Sequence, residues 1–385
     1  MEKTLCLLLI AMTVISCSVG SLAHGTISES STTAADDFKQ SIVEEVCQRV
    51  VEIYAEYYNI PQISGEVREI ETVIGGSNYI IDVSFTKILL ADDASDLPYI
   101  QGMEDTVATI KDVATKAEAQ KALDARKYEL NTLYIGVEQK ENSTFKVFVP
   151  ITNTKMTVAD YTLTFVSGFG EMPMEAFELQ SQEELYQNGV VAAENVAINN
   201  VTRATTATRT NPSDATDYDR LKAKEYVEEY SCGMCGNTIP HACRNRDYTF
   251  QSADCANFVS QAIHYAGIST DDTWEPYEIA WINTGHSSAY YGLVEYMVDQ
   301  GFFFEETDKY KAFAGSIMYW NRYSHVGMVN ANDTITMTFC AHTVDKNSSS
   351  FRYWTGSSID TDVKFFVPVW DSYAGQYTPR STAVR

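Results

Sequence analysis

Apolar residues recur along this chain with two different periods, and the changes of period mark its elements. Ile42, Val43, Val46, Cys47, Val50, Val51 and Tyr54 fall three and four apart, which predicts a helix with one buried stripe. Cys47 sits on that stripe and reads as a core thiol. Strand-like runs follow at Asn78–Leu90, Tyr128–Gln139, Thr144–Thr152 and Tyr161–Val166, with a polar helix around Asp105–Arg126 between the first and the rest. From Glu194 to Asp219 the periodicity is lost in a stretch rich in Thr, Ala and Asn, which predicts a linker. Beyond it, YDRLKAKEYVEEY predicts a helix. A second helix runs from Cys255, with Phe258, Val259, Ala262, Ile263 and Ala266 on one face and Gly267 placed to cap its end. Ser316–Trp320, SHVGMVN and TITMTFCAHT read as strands. In the last of these, Ile335, Met337, Phe339 and Ala341 share one face, and Thr338, Cys340 and His342 the other. The turn-rich Asn330–Asp333 joins the last two strands as an antiparallel pair. A hairpin symmetric about Ala331 and Asn332 would set His342 opposite Asn321, about 13 Å along the strand from His325.

This pattern divides the chain into an N-terminal α+β domain over 27–193, a polar linker over 194–217, a second α+β domain over 218–370 in which a helix packs on an antiparallel sheet, and a tail over 371–385. The first 23 residues read as a signal peptide. Its apolar run from Leu5 to Ile15 is too short for a membrane span, which needs about 20 apolar residues. Two cleavage readings stand: a small-x-small site at Ser21-Leu22-Ala23, and a lipobox, Val14-Ile15-Ser16-Cys17, that would attach a lipid anchor through Cys17. Either implies a secreted or envelope-attached protein. Acidic residues number 52 against 28 basic ones, for a net charge of -24. That excludes a nucleic-acid partner, which requires a basic footprint.

The candidate chemistry lies in the second domain. Cys232, Cys235, His241 and Cys243 fall within twelve residues. A zinc site, free thiols and a disulfide are the three readings, and export favours the disulfide. Cys255 falls in the first turn of its helix, behind Ser252 and Asp254 as candidate caps. The free N–H groups and partial positive charge of a helix start favour thiolate over thiol and can hold an oxyanion. A small core thiol opening the apolar stripe fits the same position. The histidines separate the two readings, because a thiolate nucleophile needs a positioned base. His241, His264 and His286 lie in a cysteine-rich loop, on the outer side of the helix and in a polar stretch. His325 opens a strand and His342 closes its neighbour. Trp274, Tyr277, Trp281, Tyr290, Tyr291 and Tyr296 lie between the helix and these strands and read first as a core stripe. Tyr248, Asp254 and Trp281 are the candidate substrate contacts.

DCANFVSQ at Asp254–Gln261, SHVGMV at Ser324–Val329 and AHTVD at Ala341–Asp345 resemble the bacterial "putative amidase domain" family, grouped with NlpC-type and CHAP peptidoglycan hydrolases of papain-like fold. The resemblance covers about Tyr218 to Val367. It implies a papain-like cysteine hydrolase, with Cys255 as nucleophile, His325 as general base and His342 as the residue that orients His325. It further implies peptidoglycan or a muropeptide as substrate, with no cofactor and no metal. GSIMYW at Gly315–Trp320 resembles the strand that leads to the family's histidine. This chain departs from that pattern at Ser316, where many relatives have Asp, and at Ala256, where they have Ser or Thr. Asp345 is the substitute orienter. The competing reading is a non-catalytic wall-binding or adhesive protein on a papain-like fold, and a thiol-dependent acyltransferase is a third.

Overall fold

The computed structural model describes residues 29–150, 161–167, 170–203, 213–232, 243–249, 251, 253–285, 291–306, 309–343, 346–352, 363–371 and 376–377. The signal segment, Cys235, His241, His286 and Asp345 lie outside them. The described residues form a mixed α+β structure built on one large sheet.

The N-terminal half begins with helix α1 (Glu29–Tyr54), followed by strands β1 (Tyr58–Val73) and β2 (Gly76–Leu89). The tight connection between the strands is made by Gly75 at φ +86°, a left-handed conformation that costs glycine little. Helices α2 (Pro98–Thr109) and α3 (Val113–Leu133) precede β3 (Gln139–Pro150), β4 (Thr162–Val166), β5 (Glu171–Pro173) and helix α4 (Gln182–Arg203). The predicted stripe of α1 is buried: Ile42, Val46, Val50 and Tyr54 share a core with Ile81, Val83 and Phe85 of β2 and Phe145 and Val147 of β3.

Three expectations fail here. Tyr128–Leu133 is helical, because buried Ala119, Leu123, Arg126 and Leu130 continue a helical spacing through α3 that the β-prone Tyr128 and Thr132 conceal. The polar helix around Asp105–Arg126 is two helices, α2 and α3. Glu194–Arg203 continues α4 instead of opening a linker, with Ala192, Ala193 and Val196 packed inward. Of the remaining linker residues, 204–212 lie outside the described ones and Ser213–Asp217 form a 3-10 turn. Strand β1 went unrecognised because charged residues interrupt its apolar positions, as suits an edge strand.

The second half comprises helices α5 (Arg220–Glu229), α6 (Cys255–Tyr265), α7 (Ile279–Ile282) and α8 (Leu293–Asp299). Its strands are β6 (Phe303–Glu306), β7 (Ile317–Trp320), β8 (His325–Asn332), β9 (Met337–Ala341), β10 (Lys346–Phe351) and β11 (Val363–Pro368). The expected tail is structured at its start, where β12 (Trp370–Asp371) pairs with β13 (Gln376–Tyr377). Gly315, at φ +86°, brings the chain close to Arg220 just before β7, where a side chain would be crowded and the backbone strained.

The sheet runs β1-β2-β3-β10-β9-β8-β7-β11-β6, so β3 of the first half and β10 of the second are neighbours. They pair in parallel through Asn142 and Ser349, and every other ladder among the described residues is antiparallel. The two faces of the β7-β8-β9 region carry separate cores. Phe258, Val259, Ala262 and Ile263 of α6 pack with Tyr319, Val326, Met328 and Cys340 on one face. Met318, Trp320, Val329, Phe339 and Ala341 pack on the other.

The β8–β9 pairing is asymmetric. Asn332 pairs with Met337 and Ala331 with Thr338, then a bulge shifts the register so that Val329 pairs with Phe339 and Met328 with Cys340. Continued outward, that register brings His342 level with Val326. The symmetric hairpin that would separate His325 and His342 by four residues does not form, because Asp333 accepts the backbone N–H groups of Ile335 and Thr336 and closes a tighter, offset turn.

Candidate active site

Cys255 is the first residue of α6 and is buried. It shares one buried core with Val326 of β8. Burial pushes the thiol up from its ordinary value, the nearby backbone amides of Val326, Ala256 and Cys255 offset part of that rise, and the charge of Asp254 adds to it. The thiol is therefore protonated at neutral pH but lies among donors able to hold a thiolate. The apolar stripe of α6 places it there: with Phe258, Val259 and Ala262 packed on the sheet, the first turn of the helix meets the start of β8.

Val326 is the peptide neighbour of His325. The His325 ring is buried, and burial, aided by the charge of Lys346, lowers its pKa to about 4. It is thus a neutral imidazole at pH 7. His325 pairs across the ladder with Trp320, and their ring centroids are 5.5 Å apart. Strand alternation turns both toward the face of Phe339, while Val326 faces α6.

His342 follows the last residue of β9 and is held from three sides. Its Nδ1 lies 2.7 Å from Asp254 Oδ2, its Nε2 2.7 Å from the backbone carbonyl of Tyr230, and its ring stacks on Phe258 at a centroid distance of 3.9 Å. Both ring nitrogens are taken up by these two acceptors, so the expected hydrogen bond from His342 to the His325 ring is replaced by one to Asp254.

Asp254 precedes α6 as expected of a cap, but its side chain makes no capping hydrogen bond. Its Oδ1 accepts Asn257 Nδ2 at 2.7 Å and the backbone N–H of Gln251 at 3.3 Å, and its own N–H donates to Thr343 Oγ1 at 2.8 Å. With both carboxylate oxygens engaged inside the protein, Asp254 holds side chains together where a substrate contact was expected. Trp281 is likewise a core residue, fully buried, with Nε1 donating to Asn257 Oδ1 at 2.7 Å. Tyr248, half-buried, stacks over it at 6.0 Å and is the one of the three with a face toward solvent. Trp274 and Tyr296 are buried as the stripe reading expects, whereas Tyr277 and Tyr291 are exposed.

Cys232 and Cys243 form a disulfide, their Cα atoms 5.9 Å apart, which settles two of the clustered cysteines. Cys340 is fully buried and its thiol is pushed up to about 12 by burial. Among the described residues no group of His, Cys, Asp and Glu is arranged to hold a metal ion. The residues that sequence reasoning missed are Asn257, which links Asp254 to Trp281, and the main-chain groups of Val326 and Tyr230. Asn257 was detectable, since residues three apart on a helix share a face. A main-chain group leaves no signal in the sequence.

Residues 217–366 match the model of a family described as "Putative amidase domain". The matched segment spans α5 to the middle of β11 and includes Cys255, His325 and His342. It is similar to an amidase-like family, which points to amide hydrolysis. No curated protein and no solved structure matches the chain.

Proposed function

We propose that this chain is an exported cysteine hydrolase that cleaves amide bonds in peptidoglycan, with Cys255 as nucleophile and His325 as general base. The observation that carries the reading is the packing of α6 on β8, which puts Cys255 in one buried core with Val326, the neighbour of His325, inside the segment similar to amidases. His325 is neutral at pH 7 and can accept a proton, and its lowered pKa of about 4 makes it a weak base. In the reaction, His325 takes the thiol proton and the sulfur attacks the substrate carbonyl. Helix-start N–H groups stabilise the oxyanion. Collapse of the tetrahedral adduct expels the amine with the proton from His325, leaving an acyl-thioester on Cys255. Water, deprotonated by His325, then releases the acid and restores the thiol. The peptidoglycan substrate and the export rest on the family resemblance and on the leader.

One observation favours a second reading, a wall-binding protein without turnover: strand alternation turns the His325 ring toward Trp320, away from α6. Mass spectrometry of purified cell wall after incubation with wild-type, Cys255→Ala and His325→Ala protein decides between them. Hydrolysis predicts new amine-bearing fragments with the wild type alone. Intact wall in all three, with the protein bound, overturns the enzyme reading.

A further inference from the structure

His342 lies between two acceptors, and this constrains its protons. The Tyr230 carbonyl has no hydrogen to give, so Nε2 must carry one. The 2.7 Å contact between Nδ1 and Asp254 Oδ2 needs a second, on either atom. The pair therefore holds two protons in a buried corner, with Asn257 and the Gln251 N–H on the other carboxylate oxygen. The chain elements it joins are the end of α5 at Tyr230, the end of β9 at His342 and the residue before α6. A second bond, from Asp254 N–H to Thr343, fixes the same junction. A helix start is otherwise where a helix frays most easily, and this one has surrendered its cap side chain to His342.

We propose that Asp254 and His342 form a positioning dyad that pins the first turn of α6 to the ends of β9 and α5 and thereby holds Cys255 in place beside Val326. The inference rests on reading Cys255 as the nucleophile. Both members are positioning residues, because neither ring nitrogen is left to face the thiol. The dyad has an electrostatic consequence as well. Asp254 adjoins Cys255, and its charge disfavours the thiolate. A proton held on His342 offsets that charge. The titratable groups facing this corner are Asp254 and Cys255 at the start of α6, Cys340 and His342 at β9, and Tyr226 and Tyr230 from α5, while His325, with Lys346 of β10 acting on it, turns toward Trp320 on the other face of the sheet.

The test is the pH dependence of Cys255 alkylation by iodoacetamide in the full chain, followed by peptide mass spectrometry. His342→Ala leaves the Asp254 charge uncompensated and should raise the midpoint by about one pH unit, with about tenfold less thiolate below it. His342→Gln, whose amide can donate to Asp254, should recover part of that shift. Asp254→Asn removes the charge while keeping a donor for Nδ1, so its midpoint should stay or fall. The double variant Asp254→Asn with His342→Ala should follow Asp254→Asn, a non-additivity that a merely structural role would not produce. If His342→Ala fails to fold, His342→Gln carries the comparison. Profiles superimposing on the wild type for both His342 variants, or a midpoint raised in Asp254→Asn as in His342→Ala, would overturn the dyad. Profiles that move as stated in a protein that cleaves no amide would overturn the hydrolase reading and leave the dyad standing.

Discussion

The carboxylate of Glu141 on β3 and the ammonium of Lys87 on β2 form a fully buried ion pair at the seam of the sheet, and residues of the second half complete it. Glu141 also receives Tyr54 Oη and Ser350 Oγ at 2.5 Å and the Arg352 guanidinium at 3.4 Å. Lys87 also donates to Thr336 Oγ1 and lies 3.9 Å from Asp333, while Tyr58 Oη donates to Asp333 at 2.8 Å. The charges balance, and they come from elements on both sides of β3 and β10. The same turn, Asp333–Thr336, sets the β8–β9 offset that brings His342 level with Val326. The N-terminal half thus reaches the candidate site through the hairpin.

Removing one member of this network strands the rest. Glu141→Ala leaves Arg352 buried without its carboxylate and Lys87 with only the more distant one of Asp333, and such a loss costs about 3–5 kcal/mol. Urea unfolding should show that loss in a single transition reporting both halves. A change under about 1 kcal/mol, the worth of an exposed pair, would show that water reaches the seam.

A chain starting at Asp214 should not fold as a soluble monomer. It would bare the edge of β10 that pairs with β3, together with Asp333 and Arg352, whose partners lie on the missing half. Size-exclusion chromatography and near-UV circular dichroism of the fragment provide the check. A monodisperse fragment with native tertiary signal would show that the second half folds by itself.

His325 should make stability depend on pH. Its pKa falls from 6.5 in the unfolded chain to about 4 in the folded one, so between these values the unfolded state binds the extra proton. The contribution is fully present above about pH 6.5 and is lost as the pH falls toward 4, amounting to about 3 kcal/mol. His325→Gln should flatten that part of the curve when unfolding free energies are compared at neutral and acid pH. Identical slopes in the two proteins would place the ring in water.

Thiol reactivity should rank Cys255 first. Cys340 is fully buried and pushed up to about 12, and Cys47 is packed in the α1 core, whereas the backbone amides at the start of α6 draw the Cys255 thiol down against its burial. Timed iodoacetamide labelling of native protein reads the order directly. Cys340 or Cys47 labelling as fast as Cys255 would count against an activated thiol at the helix start.

What the sequence determined by itself is what short-range periodicity encodes. The stripe of α1, the alternation in β7, β8 and β9, the face shared by Thr338, Cys340 and His342, and the position of Cys255 at a helix start all follow from which neighbours must be apolar. The misread elements are those where local propensity opposes packing. Tyr128–Leu133 carries the β-prone Tyr128 and Thr132 within a helical burial pattern, and Glu194–Arg203 has linker-like composition but continues a helix that buries Ala192, Ala193 and Val196. Tertiary structure alone decided the rest. The β3–β10 pairing joins residues more than two hundred positions apart, and no local pattern specifies a partner at that distance. The β8–β9 offset depends on how Asp333 closes its turn against Tyr58 from the far end of the chain. The bond between Asp254 and His342, 88 positions apart, exists only because that offset and the packing of α6 bring a carboxylate and an imidazole into one buried corner, where each needs the other to satisfy its hydrogen bonds.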